Sequence, residues 1–426
     1  MEGRLLDGMK INIGQIIKLY RYKQNMTQSE LAEGICSVSH LSKIENGSKE
    51  ANQDTINLLL ERLGISQETL SQKARHLLSL LDEFQMNMYF YALDQAEQNA
   101  EMIIHHEEQF FSLDLGIQYH LSLFQFYLLT EKQQLALKTH RVLKKFEKTF
   151  IDTEKETFEY LDGIHQIKIG QLEEGLKRLE SCFSYASVEQ SDLYYHYAKA
   201  LGAMGHLGDA LEATHQAMDL YRQKNNFKRV IHCTLIHGVI SLELKAFQTA
   251  KRYLKEVILH TSLHPDAYIK MTAYFYYGVL LKRQGDFSSA VPYLLDSLNY
   301  FNQEQIEDRY CETLYEIATL YAEYDRKKAL PYIHELLKQP RIQPNCLYMI
   351  KIYKLMIEEN PHDLKTYLVE AAIPYFEHNQ LHNEYLFALR TLLSYAASEL
   401  DKRAYMSYTT KLLDHLASFI PYYKKA

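Results

Sequence analysis

Residues 27–32 read TQSELA and residues 37–47 read SVSHLSKIENG, and these two stretches form the clearest structural pattern near the start of the chain. Thr27 and Glu30 have the spacing of a capping box, in which the two side chains accept free backbone N–H groups at a helix N-terminus. Ser37 is a second N-cap candidate, and Gly47 can take the left-handed conformation that ends a helix. The pattern therefore predicts two short helices joined by a tight turn.

The second of these helices is expected to have one apolar and one polar face. Val38, Leu41 and Ile44 recur every three residues, which predicts that they face a core. Polar residues occupy the other side or its edge: Ser39, His40, Ser42 and Lys43. Further helices are predicted over residues 13–22 and 54–63. Together these elements predict a helix-turn-helix domain.

A helix-turn-helix places its second helix in the major groove of DNA, where short polar side chains can read base edges. Lys43 suits a guanine or a phosphate, and Gln28 is placed to hold a phosphate beside a helix N-terminus. The predicted DNA contacts are Lys18, Arg21, Gln28, Ser37, Ser39, His40, Ser42 and Lys43. The alternative is a small helical domain that never contacts DNA.

Composition fits an ordinary water-soluble chain of more than one domain. The chain has 426 residues, 47% of them hydrophobic and 24% charged, which is too long for one small core. We find no signal peptide and no apolar run of bilayer-spanning length. The five cysteines are odd in number, far apart and without a CxxC pair, so we expect reduced thiols in the cytoplasm.

The charge is not concentrated at the predicted DNA-binding end. Residues 1–66 hold eight basic and eight acidic residues, so the net charge of −7 lies in the rest of the chain. DNA affinity is therefore expected to come from a local patch and from pairing two copies in a dimer. An acidic body also argues against non-specific coating of nucleic acid.

The remainder of the chain shows a helical repeat. Small residues that follow a short turn recur at intervals of 35, 40, 40 and 39 residues: Gly175, Ala210, Ala250, Ala290 and Ala329. A second small residue precedes each of the first four: Gly163, Ala198, Gly238 and Gly278. This spacing resembles the tetratricopeptide repeat, in which small residues let two helices approach closely. Residues 84–420 have room for about eight repeats, and an irregular helical bundle is the alternative.

Tetratricopeptide arrays coil into a right-handed superhelix whose concave wall is lined by the first helix of each repeat, and such walls bind extended peptides. The predicted wall residues are Tyr160, Lys168, Asp192, Tyr195, Lys199, His232, Phe275, Lys282, Tyr315 and Glu323. For each residue alone, a role in packing or solvation is an equal alternative. The 34 tyrosines are interpreted as repeat packing and not as a platform for stacking bases.

Nothing in the sequence predicts catalysis, a metal site or a cofactor. The chain has no phosphate-binding loop, no GxSxG motif and no dinucleotide fingerprint. A dispersed active site stays open, but no motif suggests one. The expected fold is all-α, with a helix-turn-helix domain at 1–66, a linker helix at 67–83 and a tetratricopeptide peptide-sensing and oligomerisation domain at 84–426.

The N-terminal motif resembles the phage-repressor class of helix-turn-helix proteins, on the capping box and the LSKIENG closure. That class usually has glycine in the turn, whereas this chain has Cys36 and a turn one residue shorter. The departure points to the peptide-sensing branch of the class. With the repeat array behind it, the chain resembles the quorum regulators grouped as Rap, Rgg, NprR, PlcR and PrgX, with an architecture most similar to NprR.

This resemblance implies a cytoplasmic transcription regulator that binds a re-imported signalling peptide in its repeats and changes its oligomeric state or DNA binding. The implied partners are an operator, the peptide and further copies of the chain, as a dimer or a tetramer. It also implies an alternative function, in which the protein docks a phosphorelay response regulator and inhibits sporulation signalling under peptide control. The Rap catalytic glutamine has no counterpart that we can place, so docking is favoured over phosphatase activity.

Overall fold

The computed structural model describes residues 13–46, 52–112, 115–263, 266–340, 342–398 and 402–418. Over these ranges the regular structure is helical. Clustering of contacts divides the chain into two compact units, Met1–Ile240 and Ser241–Ala426. Gly47, which we predicted to end the second helix of the motif, lies outside the described residues.

The helix-turn-helix head begins the first unit. Its helices are α1 (Ile13–Lys23), α2 (Gln28–Ala32), α3 (Val38–Glu45), α4 (Gln53–Arg62) and the start of the long α5 (Gln67–Tyr89). These bounds agree with the predicted helices to within a residue or two. The capping box at the start of α2 is confirmed, since Glu30 N donates to Thr27 Oγ1 at 3.2 Å and Thr27 N donates to Glu30.

The core of the head confirms part of the predicted apolar face. Leu41 and Ile44 of α3 are buried, together with Leu31 of α2. The prediction for Val38 is wrong, because this side chain is 44% exposed at the first turn of α3. Leu41 and Ile44 lie where α3 packs against α1 and α2. Val38 is the first residue of α3 and lies beyond this contact, so its side chain stays exposed.

The turn between α2 and α3 contains a glycine after all. Gly34 has φ of +71°, the left-handed conformation that glycine adopts without steric cost. Cys36 follows it and is half-buried against the core of the head. The expectation that Cys36 replaces the usual turn glycine is therefore corrected, since Gly34 supplies that conformation two residues earlier.

Helical hairpins fill the rest of the first unit. The helices are α6 (Leu93–His105), α7 (Glu107–Ser112), α8 (Gly116–Leu129), α9 (Gln133–Phe146), α10 (Asp152–Lys168), α11 (Leu172–Ser181), α12 (Gln190–Ala203), α13 (Leu207–Gln223) and α14 (Phe227–Glu243). α14 runs past the end of the first unit. Short 3₁₀ turns follow α9 and α11, at Glu147–Thr149 and Cys182–Ser184.

The second unit continues with further hairpins. The helices are α15 (Phe247–Leu263), α16 (Ala267–Arg283), α17 (Phe287–Gln303), α18 (Glu307–Tyr324), α19 (Arg326–Leu337), α20 (Pro344–Ile357), α21 (Pro361–Tyr367), α22 (Ile373–His378), α23 (His382–Ser398) and α24 (Lys402–Ser418). A π-helical segment, Leu368–Ala372, joins α21 to α22. Neighbouring helices pair in order along the chain, as in tetratricopeptide hairpins.

The small residues of the repeat sit where helices come closest. A Cβ added to Gly175 would lie 2.5 Å from Ile167 Cγ1 and 2.8 Å from the carbonyl oxygen of Gly163. In the second unit, a Cβ on Gly278, which corresponds to Gly163 in the repeat, would lie 2.7 Å from Leu294 Cγ. The predicted steric reason for the repeat is therefore confirmed. The fold is all-α, with a helix-turn-helix head followed by tetratricopeptide-type hairpins.

The predicted linker helix at 67–83 is part of α5, which continues to Tyr89 without a break. The head and the first repeat hairpin thus share one helix. The boundaries at residues 66 and 83 stay predictions. In the described ranges, we find no helix that combines the length and the apolar character needed to cross a membrane.

Candidate DNA-binding surface and ligand cavities

The predicted DNA-reading residues divide into a solvent-facing group and a group that belongs to the interior of the head. Ser37, Ser39 and Lys43 are exposed along α3, and His40 and Ser42 are half-buried beside them. Ser37 Oγ accepts from the backbone N–H of His40 at 3.1 Å, which caps α3. α3 therefore presents short polar side chains and one lysine to solvent, as a reading helix requires.

Arg21 does not lie on this surface. Its side chain is 6% exposed, and its Nε and one terminal nitrogen donate to the two Glu45 oxygens at 2.7 and 2.9 Å. The other terminal nitrogen donates to the Met26 carbonyl oxygen at 2.9 Å. The hydrogen bond with Glu45 raises the pKa of Arg21, so the guanidinium stays charged. The prediction that Arg21 contacts the DNA backbone is corrected, because its donors already hold α1 against α3.

Gln28 is also bound inside the head. Its side-chain amide donates to the second Glu45 oxygen at 2.7 Å, so this amide is not directed at a phosphate. The backbone at the start of α2 still supplies N–H groups there. Lys18 on α1 is half-buried. The structure thus leaves Ser37, Ser39 and Lys43 as the best placed of the predicted contacts.

Two of the predicted wall residues in the first unit line the same buried cavity. Tyr160 of α10 and Asp192 of α12 are 7% and 6% exposed, and Arg229 of α14 and His196 line the cavity with them. The cavity volume is about 30 Å³, enough for one or two water molecules. Residues from α5, α8 and α10 complete its lining: Gln125 and the apolar Met88, Leu128, Leu129, Leu161 and Ile164.

The charges in this cavity are imperfectly matched. Arg229 lies 3.9 Å from Asp192 Oδ1, and Tyr221 donates its hydroxyl hydrogen to the same oxygen. Burial raises the pKa of Asp192, and it lowers the pKa of His196 well below its usual value. Among the described residues, Arg229 Nε is one of the few buried polar atoms without a hydrogen-bond partner. Such an orphaned charged donor usually marks a place where a ligand or water binds.

The other predicted wall residues of the first unit do not line this cavity, but two of them are aromatic residues packed near Arg229. Tyr195 and His232 are buried, with ring centres 6.5 Å apart, and the Arg229 guanidinium lies 4.9 Å from the Tyr195 ring centre. Lys199 is exposed, with its ammonium 5.7 Å from the same ring. Lys168 lies elsewhere, paired with Glu131 at 3.1 Å.

The second unit contains a larger open cavity, of about 410 Å³, between α16, α18 and the start of α20. Two of the predicted wall residues, Phe275 and Tyr315, are among its lining residues. Lys282 is bound to Glu316 at 2.7 Å, and Glu323 accepts a long hydrogen bond from Tyr353 at 3.4 Å. The size is in the usual range for a small-ligand pocket. The structure does not bring Lys282 or Glu323 into the lining.

Two residues that line the first cavity, Arg229 and His196, were not predicted from the sequence. Arg229 stands in the run NNFKR at residues 225–229, which looks like a solvated loop and helix start. The wall residues were predicted from their spacing to the small packing residues, which lie further along each helix, and this spacing does not include Arg229. A charged residue directly before the largely apolar stretch VIHCTLIHGV was the available signal.

Within the described ranges, no group of three or more His, Cys, Asp or Glu side chains has a metal-binding arrangement. The five cysteines, all described, are free thiols. Burial raises the pKa of Cys182 to about 11 and that of Cys233 to about 12, which keeps these two thiols protonated and unreactive.

Comparison with known proteins gives matches to the helix-turn-helix head and to most of the chain. Residues 17–72 match the helix-turn-helix family HTH_3. Transcriptional activator NprA of Geobacillus stearothermophilus is 23% identical over 369 residues, which cover 82% of this chain and 89% of that protein.

Solved structures share the fold. The apo form of the quorum sensor NprR from B. thuringiensis matches 80% of this chain and 99% of its own, with a TM-score of 0.63 and 18% identity. A Rap protein complexed with competence and sporulation factor matches 81% of this chain and 98% of its own, with a TM-score of 0.64 and 14% identity.

The fold and the head define a helix-turn-helix domain of the HTH_3 family followed by a tetratricopeptide-type array. More closely, the chain is similar over most of its length to Transcriptional activator NprA, and its architecture is similar to that of the NprR and Rap structures. The resemblance inferred from the sequence is thereby confirmed.

Proposed function

We propose that the protein is a cytoplasmic transcription regulator whose DNA binding is switched by a short peptide. The observation that carries the proposal is that one compact unit contains both the exposed polar face of α3 and a buried Arg229 whose Nε has no hydrogen-bond partner. The structures of NprR with its peptide NprX and of a Rap protein with its factor support a peptide ligand by analogy.

The chemistry of the cavity supports a ligand that offers both charge signs. The Arg229 guanidinium can bind a carboxylate, and Asp192 can bind an ammonium or a guanidinium once Tyr221 yields or shares it. A short peptide carries one of these groups at each terminus. The cavity, at about 30 Å³, has room only for water-sized molecules, so peptide binding requires the helices that line it to move apart.

A ligand can move an equilibrium between two arrangements only if it binds one of them better. To shift DNA binding by a factor of about ten, the peptide must favour one arrangement by about 1.4 kcal/mol. Homo-oligomerisation would place two heads on half-sites about 34–36 Å apart or a multiple of it. Dimer or tetramer formation stays a prediction.

The test measures affinity for a selected operator with and without synthetic peptides, which are tiled from any small secreted precursor encoded next to the gene. We expect one peptide to change the Kd for DNA, or the oligomeric state, by about tenfold or more. Arg229→Lys should abolish the response to peptide and spare basal DNA binding. Lys43→Ala should weaken DNA binding and spare the peptide. If no peptide alters either property, the proposal is wrong.

The response-regulator hypothesis stays a prediction, because likeness to Rap proteins at 14% identity shows the fold alone. A pull-down with purified response regulators would test it. Lys43→Ala should leave any such docking intact, since it changes only the DNA-reading helix.

A further inference from the structure

The turn between α5 and α6, residues 89–92, contacts a part of the chain 137 residues away. Asn226 Nδ2 donates to the Tyr89 carbonyl oxygen at 2.7 Å, and Lys228 Nζ donates to the Tyr91 carbonyl oxygen at 3.2 Å. Both donors stand at the start of α14, directly before Arg229 of the ligand cavity. The turn therefore lies against the same edge of α14 that borders the proposed peptide site.

The Tyr91 ring completes the contact. The Arg229 guanidinium lies 4.9 Å from the Tyr91 ring centre, and the His232 ring packs edge-on at 4.4 Å. Arg229 thus lies near two tyrosine rings, those of Tyr91 and Tyr195, at equal distances. A guanidinium is attracted to the faces of aromatic rings, so these contacts hold the turn in place.

Tyr91 is an unusual residue for its backbone conformation. Its φ is +56°, and the other described residues with positive φ are glycine, asparagine, glutamate, glutamine or lysine. A bulky aromatic residue adopts this conformation at some cost in free energy. Because the helix end could be made with glycine, the ring is explained by its contact with α14 and not by the turn.

The turn offers α14 the groups that an extended peptide would offer. Two main-chain carbonyls, two residues apart, accept hydrogen bonds from Asn226 and Lys228, and an aromatic side chain covers Arg229. Asn226 also caps α14, since its Oδ1 accepts from the Arg229 backbone N–H at 3.3 Å. The two ends of one side-chain amide thus serve the helix and the turn separately.

We infer that the α5–α6 turn is an internal occupant of the peptide site and competes with the peptide for Asn226, Lys228 and Arg229. The inference rests on the proposed function and deepens it. α5 begins at Gln67, next to the helix-turn-helix head, and ends at the turn. Displacing the turn therefore frees the far end of the helix that joins the head to the repeats. Ligand binding and head position are coupled through one continuous helix.

Two variants of the full chain separate the contact from the fold. Tyr91→Gly removes the ring and suits the positive φ, so the turn itself is retained. Asn226→Asp keeps the capping oxygen and removes the donor to Tyr89. The control is Gln305→Gly, which makes the same backbone change in an exposed turn of the second unit. Hydrogen exchange over residues 67–92 should be about tenfold faster in the first two variants and unchanged in the control.

The second measurement supplies the turn as a separate molecule. The probe is the acetylated and amidated peptide MYFYAL, which copies residues 88–93. It should bind Tyr91→Gly at least about tenfold more tightly than the wild type, and a scrambled peptide should bind neither. Unchanged exchange at residues 67–92 would overturn the inference. Faster exchange without binding of the probe would overturn it too, by showing that the contact is structural only.

Neither measurement uses DNA or a natural signalling peptide. The competing turn can therefore fail its test while the proposed regulator function stands. Conversely, a protein whose DNA binding ignores every peptide would contradict the proposed function even if the turn were displaced as expected.

Discussion

Removing the carboxylate of Glu45 should open the DNA-binding head. Glu45 accepts two charge-assisted hydrogen bonds from Arg21, whose side chain is only 6% exposed, and a third from Gln28. Glu45→Ala leaves that guanidinium buried without its counter-charge. Breaking a buried pair in this way costs about 3–5 kcal/mol. Amide hydrogen exchange in α1 and α3 of the full chain should then accelerate about a hundredfold or more.

The double variant Arg21→Met/Glu45→Leu supplies the control. Replacing a whole buried ion pair by apolar residues of similar size is commonly neutral or stabilising, so protection in α1 and α3 should return to within about 1 kcal/mol of the wild type. The experiment also decides between the two roles considered for Arg21. A purely internal Arg21 predicts that the double variant binds DNA as the wild type does, at every salt concentration.

A phosphate contact predicts a different result. The slope of log Kd against log salt would fall by about one for the double variant, as it should for Lys43→Ala. Loss of DNA affinity in a double variant whose head is still protected from exchange would refute the internal role. Unchanged exchange in Glu45→Ala would refute the claim that the pair stabilises the head.

Three further predictions concern other parts of the fold. Asp162 is buried, and although burial alone raises its pKa, hydrogen bonds from neighbouring side chains lower the pKa to about 2. The ionised carboxylate therefore contributes about 2 kcal/mol to the free energy of unfolding above pH 4, and this contribution is lost as the pH falls towards 2. Thermal melting of Asp162→Asn should lack this pH dependence. Gly175→Ala should destabilise the chain by about 1–3 kcal/mol through overpacking, whereas Gly208→Ala, with open space around its Cβ, should stabilise it by about 0.5–1 kcal/mol in denaturant titrations. Val38→Ala should change the stability of the head by less than about 0.5 kcal/mol, whereas Leu41→Ala should cost about 2–5 kcal/mol; equal losses by hydrogen exchange would restore Val38 to the core.

The sequence predicted the scaffold well because its signals are local or periodic. The capping box of Thr27 and Glu30 involves neighbours three residues apart, and the close approach at Gly175 recurs along the chain as a repeat. Such patterns depend on helix geometry, which is the same in every protein. Leu41 and Ile44 were placed correctly for this reason, and Val38 was misplaced because periodicity continues to the last residue of a helix while burial does not.

The sites were harder to predict because their contacts join distant segments. Arg21 and Glu45 are 24 residues apart, and the Tyr89 carbonyl meets Asn226 across 137 residues. An exposed arginine and a buried, paired arginine look alike in a sequence, since both occur on polar-looking helix surfaces. Only the fold shows which carboxylate lies opposite. Tyr160 and Asp192, which line the first cavity, were among the predicted wall residues because they follow the repeat register. Arg229 lines the same cavity but precedes that register, so it was not predicted.

Two buried arginines differ in how far their hydrogen-bond donors are satisfied. All three nitrogens of Arg21 donate at 2.7–2.9 Å, to a carboxylate and a backbone carbonyl that match their directions. Arg229 has its nearest carboxylate at 3.9 Å and a buried Nε without a partner. A guanidinium that is already satisfied gains little from a ligand, whereas an unsatisfied one gains a full charged hydrogen bond when a carboxylate arrives. The same residue type therefore holds the head together in one place and, in the proposed function, supplies the donor that a ligand would satisfy in the other.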